Sequence, residues 1–114
     1  MRFTYYTLAL TILTTIISCK SEKQVTVTAD CTTTPKAFAA NVNPIIQSKC
    51  ANGGCHNASN AGGLMLLNYS QVQSRLSTIQ QRTLVAKNMP PSAPLSASEQ
   101  AILKCWIDAG APNN

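Results

Sequence analysis

Charge is scarce in this chain of 114 residues: Asp, Glu, Lys and Arg together make up 11 % of it. Four acidic residues stand against nine basic ones, for a formal net charge of +5. So few charges exclude a charge-rich disordered protein, and cations that are neither clustered nor interleaved with aromatics do not make a nucleic-acid surface. Aromatic residues amount to only 5 %. No stretch alternates as a strand would, and no internal repeat is present. The length suits one small domain and excludes a doubly wound nucleotide-binding domain or a barrel. A membrane-spanning run is missing too. The uncharged stretch 3–17 covers roughly 22 Å as a helix, short of a bilayer core of about 30 Å, and reads as an export signal. Against these absences stand five cysteines and a single histidine.

The export signal ends in Ile16-Ile17-Ser18-Cys19. This aliphatic–aliphatic–small–Cys run resembles the lipobox of bacterial lipoproteins. The resemblance implies cleavage after residue 18, a diacylglyceryl thioether on Cys19, and tethering to the bacterial cell envelope. Lys20 after the cysteine points to the outer membrane. An ordinary signal peptide with a chance cysteine is the alternative. Residues 19–35 are threonine-rich without helical period and read as the lipid-anchored tether. Residues 36–114 form the folded domain, short enough to need a disulfide, a metal or a cofactor.

Within that domain Phe38, Val42, Ile45, Ile46 and Lys49 have helical spacing, with Asn43-Pro44 predicting a restart or a kink. The glycine- and asparagine-rich stretch from Cys50 to Gly63 is a loop. Val72, Leu76, Ile79 and Thr83 predict a helix over Ser70–Thr83. Lys87 to Pro94, with three prolines, is irregular. Ser96-Ala97-Ser98-Glu99 is a capping box for a helix whose apolar face is Ile102, Leu103, Trp106 and Ile107, stopped by Gly110 and Pro112. The fold class is all-α.

Cys50-Ala51-Asn52-Gly53-Gly54-Cys55-His56 gathers two thiols and the only histidine. A haem held through its two vinyl groups needs this set: two thioethers, and an imidazole directly after the second cysteine that reaches the iron from one face. The usual gap between the cysteines is two residues. Here it is four, and Gly53-Gly54 are suited to the positive φ angles that the extra loop requires. Three other readings stay open: a zinc site on Cys50, Cys55 and His56 lacking an obvious fourth ligand, a disulfide framework of Cys31, Cys50, Cys55 and Cys105, and a catalytic Cys–His pair.

The order of segments resembles small single-haem cytochromes c, especially the planctomycete-type domains found on bacterial lipoproteins. The segments are Val42-Asn43-Pro44-Ile45-Ile46, Cys50…Cys55-His56, Ala61-Gly62-Gly63-Leu64 with Tyr69, Met89-Pro90-Pro91, and Leu95-Ser96 running on to Trp106–Pro112. The resemblance implies a cytochrome c-like domain wrapped around one covalent haem c, with Cys50 and Cys55 as thioethers and His56 and Met89 as the axial iron ligands. A thioether on a proline-stiffened loop is also chemically apt as a sixth ligand. Met65, in an apolar run, is expected in the core. Tyr69 and Trp106 are expected in the core or against the haem. Because the terminal helices cross in that fold and the compartment is oxidising, Cys31 and Cys105 are candidates for a disulfide, the alternative being a buried free thiol at Cys105. The function implied is passage of single electrons, without enzymatic turnover, between redox partners that dock acidic surfaces on the lysines and arginines. A haem-based ligand sensor and a haem-free, disulfide-stapled lipoprotein are the alternatives.

Overall fold

A computed structural model describes residues 27–59 and 63–114. The export signal 1–18, Cys19, the first part of the tether, and Ala61 and Gly62 lie outside the described residues. Among the described residues every regular element is helical, and no helix is long and apolar enough to cross a membrane. The fold class is all-α.

The first helical run, residues 38–50, passes straight through Pro44. Proline has no N–H to give and its ring crowds the carbonyl four residues back. The backbone adjusts by widening: Phe38–Val42 and Ile46–Cys50 are π-helical turns on either side of Asn43–Ile45. The Asn43 amide bonds to the Phe38 carbonyl, five residues back. Asn43 is itself helical, and its side chain accepts from Gln47 Nε2 at 3.1 Å. The helix therefore neither restarts nor takes Asn43 as a cap. Its opening amides are satisfied from far along the chain. Phe38 N–H donates to Asn114 Oδ1 at 2.9 Å and Ala39 N–H to the Asn114 carbonyl at 2.7 Å.

The second helical region starts at Asn68, whose side chain caps Gln71 N–H at 3.0 Å. It runs Tyr69–Gln73, breaks at Ser74-Arg75, and continues as Leu76–Gln80 and the π-helical Gln81–Val85. The break is a difference from the sequence expectation of one helix over Ser70–Thr83. The buried side chains Val72, Ile79 and Thr83 keep their common face across it, and Thr83 meets its burial by donating to the Ile79 carbonyl at 2.7 Å.

The last helix, Ala97–Asp108, opens on the expected capping box. Ser96 Oγ accepts from Glu99 N–H at 3.2 Å, and Glu99 accepts from Ser96 N–H at 2.7 Å. Gly110, at φ +87, takes the left-handed position that ends it. The chain then folds back, Trp106 Nε1 donating to the Pro112 carbonyl and Tyr69 Oη to the Ala111 carbonyl, each at 2.9 Å.

The three helical regions meet at Phe38, whose ring packs edge-on to Tyr69 at 5.1 Å between centroids and tilted against Trp106 at 5.5 Å. Val42, Ile46, Val72, Leu103 and Trp106 complete the buried centre. Cys31 is disulfide-bonded to Cys105, with Cα atoms 5.2 Å apart. Val27 packs on the core and Asp30 accepts from Thr32 and Thr33. Residues 27–35, read from sequence as part of the tether, are thus docked on the helical body. Met65 corrects another expectation: it is 39 % exposed, as is its neighbour-but-one Leu67 at 40 %. Of the apolar run 64–67 only Leu66 is fully buried, because the segment runs along the surface and turns alternate side chains outward.

Candidate functional site

The loop after the first helix is closed by two backbone bonds. Cys55 N–H donates to the Asn52 carbonyl at 2.9 Å, and His56 N–H to the Cys50 carbonyl at 3.0 Å. Gly53 and Gly54, between them, have φ of +55 and +84. Two successive positive φ angles at the centre of a four-residue turn are the mirror-image type that only glycine and a few small polar residues enter freely. The glycine pair makes this tight turn possible, and Cys50 and His56 are brought within one hydrogen bond of each other.

His56 is held on both sides by the segment that follows. Its carbonyl accepts from Leu66 N–H, and its ring Nδ1 lies 2.8 Å from the Leu64 carbonyl. A carbonyl only accepts, so Nδ1 carries a proton, and in the neutral imidazole the lone pair is then on Nε2. This is how a histidine is oriented when Nε2 serves as a metal ligand.

These residues line a cavity of about 520 Å³, within the range of about 300–1,000 Å³ usual for small-molecule sites. Cys50, Cys55 and His56 border it from the loop, Leu64 and Leu66 from the next segment, and Thr78, Ile79, Arg82 and Thr83 from the second helical region. Met89, Pro90 and Pro91 border it from the proline-rich loop. That loop is tied to the second helical region: the Arg82 carbonyl accepts from Asn88 N–H at 3.0 Å and Met89 N–H at 3.2 Å. Met89 borders the cavity and is 38 % exposed, not sealed in the core. The lining is mostly apolar. Its charged members are Lys49 and Arg82.

The two cysteines differ. Cys50 is buried, and burial, with the nearby Cys55 as a lesser cause, pushes its thiol up to about 11. Cys55 is exposed. Neither is in a disulfide, so the four-cysteine framework reduces to the single Cys31–Cys105 bridge. Among the described residues no three His, Cys, Asp or Glu side chains gather as a metal cage, which counts against a zinc site on Cys50, Cys55 and His56.

Cys50, Cys55, His56 and Met89 therefore share one cavity. Tyr69 and Trp106 do not border it and are core residues. That Lys49, Arg82 and the Leu64 carbonyl belong to this cavity was not read from the sequence. A backbone carbonyl has no sequence signal, whereas Arg82 lies three residues past Ile79 on the helix whose apolar face was legible. Comparisons of the chain with known protein families, curated proteins and solved structures give no match.

Proposed function

We propose that this chain is a monohaem cytochrome c, lipid-anchored through Cys19 to the cell envelope, that passes single electrons between redox partners. The observation that carries the reading is the convergence of Met89 with Cys50, Cys55 and His56 on one apolar cavity, although Met89 is remote from them in sequence.

The donor set fits the group. An apolar macrocycle suits the lining of Leu64, Leu66, Ile79 and the two prolines. Cys50 and Cys55 are unbridged thiols, available to add across two vinyl groups. With the proton on His56 Nδ1, Nε2 would be free to hold the iron, and Met89 would offer its thioether as a second ligand. Bound there, haem would supply one-electron exchange between ferric and ferrous iron. Held by both His56 and Met89, the group would keep no position open for a substrate, in keeping with a carrier. A methionine ligand raises the potential relative to bis-histidine ligation. Arg75 and Lys87, both exposed, would offer cations to an acidic partner, whose encounters would be fast and salt-sensitive.

The function is tested by adding carbon monoxide to the purified, reduced holoprotein. A carrier with Met89 on the iron keeps its reduced spectrum and returns to the oxidised one on removal of one electron. A spectrum that shifts with carbon monoxide at low concentration would instead mark a ligand sensor.

A further inference from the structure

We infer that the Cys31–Cys105 bridge sets how far the domain reaches from the membrane: it clamps residues 27–35 to the last helix, so that the tether ends at Val27 and not at Phe38. The inference rests on the reading of Cys19 as the lipid anchor. Cys105 is buried on the helix Ala97–Asp108, and its bond to Cys31 ties the arm to the body. Upstream of the bridge, Val27 packs against the core. Between these two points the arm holds its own shape. The Asp30 carboxylate accepts from Thr32 N–H at 3.0 Å, and the Asp30 carbonyl accepts from Thr34 N–H at 3.0 Å. Lys36 Nζ donates to the Cys31 carbonyl. Among the described residues these hydrogen bonds stay within the arm, so its place on the body is kept by the bridge and by Val27. Val27 is only partly buried, which makes the covalent tie the stronger hold.

The clamp shortens the reach severalfold less than it would a long linker, but by more than the width of the domain. Fully extended chain spans at most about 3.6 Å per residue. The eight steps from Cys19 to Val27 therefore reach about 29 Å at most, against about 68 Å for the nineteen steps to Phe38. A domain of this length is about 30 Å across, so the clamped domain lies wholly within about 60 Å of the lipid headgroups. A short reach raises the domain's effective concentration toward partners held at the same membrane and excludes those beyond it. No residue of the arm borders the cavity, so the restraint acts on distance from the membrane and not on access to the site.

The test inserts about twelve Gly and Ser residues at either of two points in the full-length, lipidated protein. Before Val27 the insertion lies outside the loop that the bridge closes. Between Pro35 and Lys36 it lies inside that loop. Each protein is held on a supported bilayer of phosphatidylethanolamine and phosphatidylglycerol. Neutron reflectometry then reads the distance from the headgroups to the outer edge of the protein layer. The parental edge should lie within about 60 Å. The insertion before Val27 should move it outward, by up to about 43 Å, and the insertion after Pro35 should leave it where it was. Cys31→Ser/Cys105→Ser should move it outward without any insertion. An edge that both insertions move alike, or that neither moves, overturns the inference while the anchor reading stands, because the protein is still retained on the bilayer. So does a parental edge in the double serine variant when its circular dichroism is intact. Should that variant fail to fold, the two insertions, which keep the bridge, decide by themselves. A parent that washes off the bilayer overturns both the inference and the anchor.

Discussion

At the scale of single residues, the two thiols should behave unequally before haem is attached. With Cys50 raised to about 11, only about one molecule in a thousand would carry its thiolate at pH 8. A brief pulse of alkylating reagent should therefore modify exposed Cys55 first, as read by peptide mass mapping. Equal labelling would mean that Cys50 is not shielded as the packing requires. Met65 and Met89 also separate cleanly. Met89→Ala in the holoprotein should abolish the weak red-edge charge-transfer band of a thioether on ferric haem and let carbon monoxide bind the ferrous form. Met65→Ala should leave both unchanged. Its side chain is 39 % exposed, so the cost to stability should be small, within about 0.5 kcal/mol by denaturant unfolding. The exposure of Met65 was not legible because an apolar run of four reads as core, whereas a segment lying on the surface buries only alternate members.

At the scale of elements, the last helix was legible to the residue: the Ser96–Glu99 box, the apolar face and the Gly110 stop are local chemistry, decided within a few positions. The first helix was legible as an element but not in its geometry. Pro44 announces a disturbance, and whether the chain restarts, kinks or widens depends on Phe38, Val42, Ile45 and Ile46 being held in the core on both sides of it. The break at Ser74-Arg75 was invisible because the apolar spacing continues across it. Of the site, the Cys50–His56 cluster and the role of Gly53-Gly54 were legible, while the approach of Arg82 and Leu64 is tertiary. The capping box gives a pH-dependent prediction. The Ser96 amide lowers the Glu99 pKa below its ordinary 4.5, with the Lys49 cation a lesser cause. A depressed carboxylate contributes stability that is complete above the ordinary value and lost as pH falls through the folded one. Glu99→Gln should thus reduce the melting temperature near neutrality and flatten its fall below about pH 4.5, measured by circular dichroism. Ser96→Ala should cost about 0.5–2 kcal/mol.

At the scale of the molecule, a disulfide constrains a small core, and the proposed haem would constrain it further. The Cys31–Cys105 bridge closes most of the folded chain into one loop, its ends 74 positions apart in sequence. The Cys31→Ser/Cys105→Ser pair should lower stability by about 2–4 kcal/mol in denaturant unfolding while leaving the visible spectrum intact, since neither residue borders the cavity. The second constraint is the proposed haem, whose ring would complete the apolar surface that Leu66 and Ile79 share between core and cavity. Cys19, the proposed anchor, should carry lipid: Cys19→Ser should release the protein to the soluble fraction or leave its precursor uncleaved. The central claim is the covalent haem itself. Its most direct test is acid–acetone extraction of protein made in a host with haem-attachment machinery, followed by a pyridine haemochrome spectrum of the polypeptide. The colour should stay with the chain and give the spectrum of a haem whose vinyl groups have become thioethers. Colour that passes wholly into the solvent, or a chain that was never coloured, would contradict it.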